Sequence, residues 1–305
     1  MNAIEIKHLS KQYPKVLAID DLSLDIEEGE IFALLGHNGA GKTTLIKILS
    51  CLLRQTTGSI QILGKDIAED MTWLKGQFNI SPQETAIAPN LTVFENLDLI
   101  AKLYGSDAVT ANTKANELLM RFSLVERAND RAKTLSGGMQ RKLSLAMALI
   151  TEPKIIYLDE PTLGLDPEAR RDLWNQIMKL KKHATILLTT HYLEEADYLA
   201  DRIAIMKQGK LVALGTSHDL KAKYFAKKSV IITCKGINDP LVKELTDKYR
   251  DVSIVDHEIT IKQDHLDYQD LLLMFVNHNV IIDNITNKEA TLDDVYLAIN
   301  RGEKK

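Results

Sequence analysis

The chain has few cysteines, no long apolar run and no excess of positive charge. Its 305 residues include two cysteines, Cys51 and Cys234, which stand far apart and without the spacing of a metal site. This usage excludes a disulfide scaffold and fits a reducing compartment. No apolar run approaches the roughly 20 residues that a membrane-spanning helix needs. The first residues, Met1 to Lys7, lack the hydrophobic region of a secretion signal.

The overall composition is that of an ordinary globular protein. Apolar residues make up 45% of the chain and charged residues 26%, which is enough for a core of normal size. The formal net charge is −4, so no basic field indicates a nucleic-acid partner. The length allows about two domains.

A glycine-rich segment stands between a predicted strand, Ile31 to Leu35, and a predicted helix, Thr44 to Leu49. Its spacing, G-x-x-x-x-G-K-T, is that of a loop that binds the phosphates of a nucleotide. The N–H groups of such a loop and of the following helix point at phosphate oxygens. A chance glycine-rich turn would lack this flanking strand and helix. The segment predicts binding of a nucleoside triphosphate through Gly36, His37, Asn38, Gly39, Ala40, Gly41, Lys42, Thr43 and Thr44.

Two members of this loop have predicted roles of their own. Lys42 is placed to reach the β- and γ-phosphates. The hydroxyl of Thr43 is placed to bind Mg²⁺. ATP and Mg²⁺ are therefore the expected ligands.

An acidic pair, Asp159 and Glu160, ends an apolar segment that begins at Lys154. The segment predicts a buried parallel strand whose carboxyl end meets the ligand. Asp159 is expected to hold Mg²⁺, directly or through water. Glu160 is expected to polarise the attacking water as a general base. In isolation two solvated carboxylates would be the simpler interpretation, but the phosphate loop on the same chain favours the catalytic one.

Three further side chains are candidates for the same site. His191 ends the apolar strand Thr185 to Thr190, and we expect it to contact the γ-phosphate, although a lone histidine is usually structural. Gln83 follows a proline in a segment that could be an ordinary loop. Tyr13 could pack a turn or stack on an adenine ring.

The segment Leu135-Ser136-Gly137-Gly138-Met139 opens a second amphipathic stretch, which runs from Gln140 to Ile150. It predicts another helix N-terminus suited to an anion. Because the chain has one phosphate loop and two such termini, the second can serve a nucleotide held by another copy. From the residues alone, an ordinary helix capped by serine remains the alternative.

Taken in order, these motifs resemble those of the ATP-binding subunit of an ATP-binding-cassette (ABC) transporter, over roughly residues 1–220. Tyr13 matches the aromatic residue that stacks on adenine, and Gln83 the glutamine of the Q-loop. The remaining matches are the Walker A loop (Gly36 to Thr43), the signature (Leu135 to Met139), Walker B (Asp159 and Glu160), the D-loop (Gly164 to Asp166) and the switch histidine (His191).

The resemblance implies a mechanism in which two subunits pair head to tail around two ATP molecules, as a homodimer or a heterodimer. Ser136, Gly137 and Gly138 of one copy, with Asp166, would complete the γ-phosphate site of the other. Gln83 would join Thr43 and Asp159 around Mg²⁺. The membrane passage would belong to separate permease subunits, with this chain on the cytoplasmic face and no nucleic acid involved.

The expected fold class is α/β. Residues 1–220 are predicted to form a P-loop NTPase core of the ABC type, with a helical subdomain at about 86–150. The sequence itself shows only helical periodicity there, and the resemblance implies that this subdomain would bind the membrane partner. Within it, the spacing of Thr92 and Glu95 predicts a capping box for a helix ending near Tyr104. Other predicted helices are Ala111 to Phe122 and the segment from Pro167 to about Lys182, capped by Asp166.

Residues 221–305 are predicted to form a small α+β accessory domain. Their strand and helix patterns follow the order β-α-β-β-α-β of a ferredoxin-like module, before a last helix near Asp293 to Ile299. His257 and His265 are expected to be exposed. A scaffold or dimer contact is the simpler role, and ligand sensing the alternative. The ending Thr291 to Tyr296 resembles that of some exporter ATPases and favours export.

Three functional hypotheses follow: a transporter ATPase, an ABC ATPase that acts on ribosomes or DNA, and a regulator that binds nucleotide without turnover. Ribosome-acting relatives usually carry two cassettes, and DNA-repair relatives insert long coiled coils. This chain has one cassette and neither a heptad run nor a basic tract, which favours the transporter ATPase. The acidic pair argues against the regulator. The cargo is not indicated, because specificity in this architecture lies in the membrane subunit.

Overall fold

The computed structural model describes residues 1–224, 228–263, 266–288 and 290–301. The chain divides into two compact units, Met1–Ser217 and His218–Lys305, a division that the sequence places slightly later, after residue 220. Among the described residues, no helix combines the length and apolar character that a bilayer crossing requires.

The first unit contains two sheets. Its strands are β1 (Asn2–Gln12), β2 (Leu17–Glu27), β3 (Ile31–Leu35), β4 (Thr57–Ile62), β5 (Lys65–Asp66), β6 (Phe78–Ser81), β7 (Ile155–Asp159), β8 (Thr185–Thr190), β9 (Arg202–Lys207) and β10 (Lys210–Gly215). The smaller sheet is antiparallel, in the order β2-β1-β4-β5. Its inward-facing side chains, such as Ile4, Leu22 and Ile60, share one core cluster with residues of the larger sheet.

The larger sheet has the order β10-β9-β3-β8-β7-β6 and is parallel except for the pair β9–β10. Strands β3, β7 and β8 are buried along their whole length, as expected for parallel strands covered on both faces. The carboxyl ends of β3, β6, β7 and β8 meet at one edge. Each is followed by, or ends in, a residue that the sequence assigns to the nucleotide site.

The first unit has seven α-helices among its described residues, three of which lie in the segment between β6 and β7. They are α1 (Lys42–Leu49), α2 (Met71–Leu74), α3 (Val93–Leu103), α4 (Ala108–Arg121), α5 (Gly137–Leu149), α6 (Pro167–Leu180) and α7 (Leu193–Leu199), with 3₁₀ turns at Val125–Arg127 and Ala132–Thr134. The predicted capping box of α3 is confirmed: Glu95 N–H donates to Thr92 Oγ1 at 3.1 Å and Thr92 N–H to Glu95 Oε2 at 2.7 Å.

The start of α4 differs from the prediction. The helix begins at Ala108 rather than Ala111 because Asp107 caps it, accepting hydrogen bonds from the N–H groups of Val109 and Thr110 at 2.9 Å. An aspartate in this position satisfies donors that the first turn would otherwise leave unpaired. The cap of α6 by Asp166, with Pro167 in the first turn, is as predicted.

The helix α8 (Ser217–Tyr224) begins at the last residue of the first unit. The second unit continues with β11 (Lys228–Lys235), α9 (Asp239–Lys248), β12 (Val252–Val255), β13 (Glu258–Gln263), α10 (Tyr268–Asn277), β14 (Ile281–Lys288) and α11 (Leu292–Arg301). Its sheet is antiparallel in the order β12-β13-β11-β14.

The core of the second unit lies between this sheet and helices α9 and α10, and includes Ile232, Leu245 and Phe275. The element order β-α-β-β-α-β is the one that the sequence predicts, and its ferredoxin-like interpretation stays a prediction. His257 is exposed, whereas His265 lies outside the described residues.

Candidate nucleotide-binding site

The phosphate loop connects the buried strand β3 to helix α1, as the sequence predicts. Gly41 is required in this loop, because its φ is 106° and a Cβ there would lie 2.5 Å from the carbonyl oxygen of Ala18. No side chain caps α1. The first N–H groups of the helix are therefore directed to the space where an anion would bind.

The side chain of Lys42 lies at the floor of this space. Its ammonium donates a hydrogen bond to the carbonyl of Gly36 at 2.6 Å and lies 3.3 Å from Glu160 Oε1. The Lys42 and Glu160 side chains are 5% and 7% exposed. A buried cation with a single carboxylate neighbour is well placed to gain a phosphate as a further partner.

Asp159 and Thr43 meet beside Lys42. The Thr43 hydroxyl lies 3.5 Å from Asp159 Oδ1, and Thr189 Oγ1 donates to the same oxygen at 2.5 Å. One carboxylate and one hydroxyl are hard oxygen ligands, and Mg²⁺ binds such sites by taking its other ligands from water and phosphate. The donor set therefore fits Mg²⁺ bound together with a nucleotide.

Glu160 is held in a defined orientation. Its backbone is left-handed, with φ 50°, and its N–H donates to the carbonyl and the hydroxyl of Thr189 at 3.1 and 3.0 Å. Its carboxylate joins two partners, Lys42 through Oε1 and His191 Nδ1 through Oε2 at 2.7 Å. Residues fixed in such a conformation are frequent at functional sites.

Several of these groups line a cleft of about 650 Å³. Tyr13, the residue after β1, is 36% exposed, and the Lys11 ammonium lies over its ring, 5.3 Å from the centroid. The cleft brings together most of the residues that the sequence assigns to nucleotide binding: Tyr13, His37, Asn38, Gly39, Gly41, Lys42, Thr43, Thr44, Gln83, Glu160 and His191. Gly36, Ala40 and Asp159 are buried behind its surface.

The signature lies elsewhere. Ser136 caps α5 by accepting a hydrogen bond from the N–H of Met139 at 3.3 Å, and Ser136 and Gly137 are exposed. The first turns of α5 and α6 are in contact, since a Cβ on Gly138 would lie 3.0 Å from the Cβ of Ala169. Neither Ser136, Gly137, Gly138 nor Asp166 lines the cleft of its own chain.

Sequence reasoning missed two residues that hold the site together. Thr189 contacts both members of the acidic pair. The available signal was weak, because Thr189 is one of three threonines in β8 and only the strand register sets it opposite Asp159. Arg141 is 4% exposed and hydrogen-bonds the backbone beside Gln83 and Glu160. Nothing in the local sequence distinguishes it from a solvated arginine on the polar face of a helix.

Comparison with known proteins agrees with this geometry. The family model described as ABC transporter matches residues 19–163. The linearmycin resistance ATP-binding protein LnrL of Bacillus subtilis is 35% identical over 262 residues, covering 86% of this chain and 84% of LnrL. The human phospholipid-transporting ATPase ABCA3 is 41% identical over 261 residues, covering 84% of this chain but only 15% of ABCA3.

A solved structure has the same fold over most of the chain. The ATP-binding cassette MJ0796, determined as a dimer in a post-hydrolysis state bound to ADP and Pi, is 26% identical with a TM-score of 0.64. The match covers 70% of this chain and 98% of MJ0796. The chain therefore belongs to the ABC transporter family, among its ATP-binding and ATP-hydrolysing cassette proteins.

Proposed function

We propose that this chain is the ATP-hydrolysing subunit of a membrane exporter, and that it works as a pair of cassettes with separate permease subunits. The observation that carries the proposal is the position of the Glu160 carboxylate, between the Lys42 ammonium and the His191 imidazole in a cleft of nucleotide size. This is where a general base must lie if the γ-phosphate is held by Lys42.

Nucleotide binding uses the groups that line the cleft. The adenine stacks on Tyr13 at the open end, and the N–H groups of the loop and Lys42 bind the phosphates. Mg²⁺ would be held by Thr43, Asp159 and Gln83. When bound, it neutralises charge on the β- and γ-phosphate oxygens.

Hydrolysis then depends on Glu160. Its carboxylate accepts a proton from the attacking water, while the hydrogen bond with His191 Nδ1 fixes the orientation of that carboxylate. His191 is half-buried, so its second ring nitrogen is available for a γ-phosphate oxygen. Lys42 stabilises the charge that builds up on the transferred phosphoryl group.

The second copy supplies what the cleft lacks. Ser136, Gly137, Gly138 and Asp166 lie at the adjacent first turns of α5 and α6 and do not line their own cleft. An exposed helix N-terminus is suited to a phosphate. MJ0796, a relative of known structure, was solved as a dimer. We infer that these residues complete the nucleotide site of the partner copy.

A second cleft, of about 470 Å³, fits the permease. It lies between the helical segment and the large sheet and has aromatic and aliphatic walls, including Phe78, Ile80, Ile100, Tyr104 and Met147. A short amphipathic segment of a membrane protein would bury these side chains. With a permease bound there, the chain would lie on the cytoplasmic face of the membrane. The name of LnrL, which states resistance to linearmycin, favours export as the direction.

The test is Glu160→Gln, which keeps the shape of the side chain and removes the base. ATP binding should persist, because the loop and the magnesium ligands are intact, whereas turnover should fall by about 100-fold or more. Turnover is measured as phosphate release, and pairing in ATP as the mass from light scattering. Glu152→Gln is the matched control, since Glu152 is 77% exposed and pairs with Lys114 at the surface. Turnover of Glu160→Gln at the level of this control would contradict the assignment.

A further inference from the structure

Arg141 is buried close to the start of α5, one turn beyond the Ser136 cap. A guanidinium has five N–H donors, and all five are used here on five main-chain carbonyl groups. Nη1 donates to Pro82 at 2.6 Å and Gln83 at 3.0 Å, Nη2 to Asp159 at 2.9 Å and Glu160 at 2.8 Å, and Nε to Pro161 at 2.6 Å.

These carbonyls belong to the two loops that carry the hydrolytic groups. Pro82 and Gln83 follow β6, and the segment Asp159 to Pro161 ends β7 and begins the next loop. The two strands are neighbours in the parallel sheet, with Ser81 opposite Leu158. One side chain therefore fixes the distance between the backbone of a magnesium ligand and the backbone of the base.

The positive charge of Arg141 is stabilised by acidic side chains nearby. Burial lowers its pKa, and the carboxylates of Asp159, Glu195 and Glu160 oppose that effect. All five hydrogen bonds nevertheless go to neutral carbonyls, so the side chain organises the backbone rather than pairing with one acid. Lysine could keep the charge, but it has three donors on a flexible stem and cannot satisfy five acceptors in one plane.

We propose that Arg141 is a positioning residue for ATP hydrolysis and that its side chain couples the signature helix α5 to Gln83 and Glu160. This inference rests on the proposed function. When Ser136 engages the nucleotide of a second copy, a displacement of α5 reaches both loops through the guanidinium. Misplacement of a reacting group by about 1 Å can cost about 100-fold in rate, so the geometry that Arg141 imposes has a measurable effect on turnover.

The experiment compares Arg141→Lys and Arg141→Met with the wild-type chain. We expect kcat to fall by about 10- to 100-fold, more for methionine than for lysine. The dissociation constant of a fluorescent ATP analogue should stay within about twofold, because no phosphate-binding group is altered. Arg202→Lys is the matched control. Arg202 is a half-buried arginine that pairs with Asp25 and Glu30, and its replacement should leave kcat unchanged.

A double-mutant cycle with Ser136→Ala tests the coupling itself. If Arg141 transmits the engagement of Ser136, the double variant Ser136→Ala/Arg141→Lys should be little slower than the slower of the two single variants. Effects on kcat that multiply would show that the residues act independently and would overturn the proposal. The lysine variant decides the question even if Arg141→Met does not fold.

Two other results would also overturn the proposal. The first is a wild-type kcat in Arg141→Lys. The second is a loss of ATP affinity equal to the loss of kcat, because Arg141 would then support the fold in general and not the hydrolytic groups. A wild-type chain that binds ATP but does not turn it over under any condition would contradict the proposed function instead. That outcome is distinguishable, because it is seen before any variant is made.

Discussion

Among single residues, Glu195 shows how the loop after β7 is tied to helices α6 and α7. It is fully buried on α7, and its Oε1 accepts hydrogen bonds from Thr162 at 2.8 Å and from the indole N–H of Trp174 at 3.0 Å. Burial raises the pKa of this carboxyl above its ordinary value of 4.5, against the effect of its hydrogen-bond donors. The folded protein thus holds a proton here more strongly than the unfolded chain does.

This difference predicts how stability depends on pH. Because the folded-state pKa is raised, the contribution of Glu195 is fully present below pH 4.5 and declines as the pH rises from there toward the folded value. Glu195→Gln keeps an oxygen for both donors and does not titrate, so it should be as stable as the wild type near pH 4.5 and more stable at pH 7.

Thermal unfolding measured across this pH range checks the prediction. The exposed neighbour Glu194→Gln should follow the wild type at every pH. If Glu195→Gln lost stability in parallel with the wild type as the pH rises, Glu195 would be ruled out as the source of the pH dependence.

Among the elements, the caps decide where the helices of the first unit begin. Both hydrogen bonds of the α3 capping box are present, and removing such a cap typically costs about 1 kcal/mol. Thr92→Ala should therefore lower the free energy of unfolding by about this amount. Both tryptophans of the chain, Trp73 and Trp174, lie in the first unit, so their fluorescence in urea reports its unfolding alone.

A second threonine provides the control. Thr113 is exposed in the interior of α4, where its hydroxyl donates to the carbonyl of Val109 at 3.0 Å. Alanine is the better helix former at such a position, so Thr113→Ala should be neutral or slightly stabilising. Equal losses in the two variants would mean that the cap contributes nothing specific.

The elements also show what the sequence could and could not predict. The strand–loop–helix at Lys42 and the cap at Asp166 follow from patterns within a few residues, and both were predictable. Asp107 is a local signal for a helix start, but the hydrophobic periodicity alone places the beginning of α4 at Ala111. The roles of Thr189 and Arg141 depend on strand register and on loops that are distant in sequence. Local patterns carry no information about such contacts.

For the whole molecule, the separation of the signature from the cleft predicts a dependence of activity on concentration. If each cleft is completed by a second copy, turnover per molecule should be constant at high concentration. Well below the pairing range it should fall about tenfold for each tenfold dilution, because the paired fraction follows mass action.

Phosphate release at saturating MgATP over a dilution series checks this expectation. Ser136→Arg should bind ATP like the wild type but turn it over slowly at every concentration. Constant turnover per molecule in dilute wild-type protein, with no association seen by light scattering, would contradict a site shared between copies.

The left-handed backbone of Glu160 has a practical consequence for mutagenesis of this proposed base. Residues with a branched Cβ are strongly disfavoured at a φ of 50°, so valine, isoleucine or threonine at this position would distort the chain where it leaves β7. An inactive variant of that kind would report a damaged turn, not a missing proton acceptor. Glutamine, which matches glutamate in branching and length, separates chemistry from conformation, and a saturation library at position 160 should be interpreted with that division in mind.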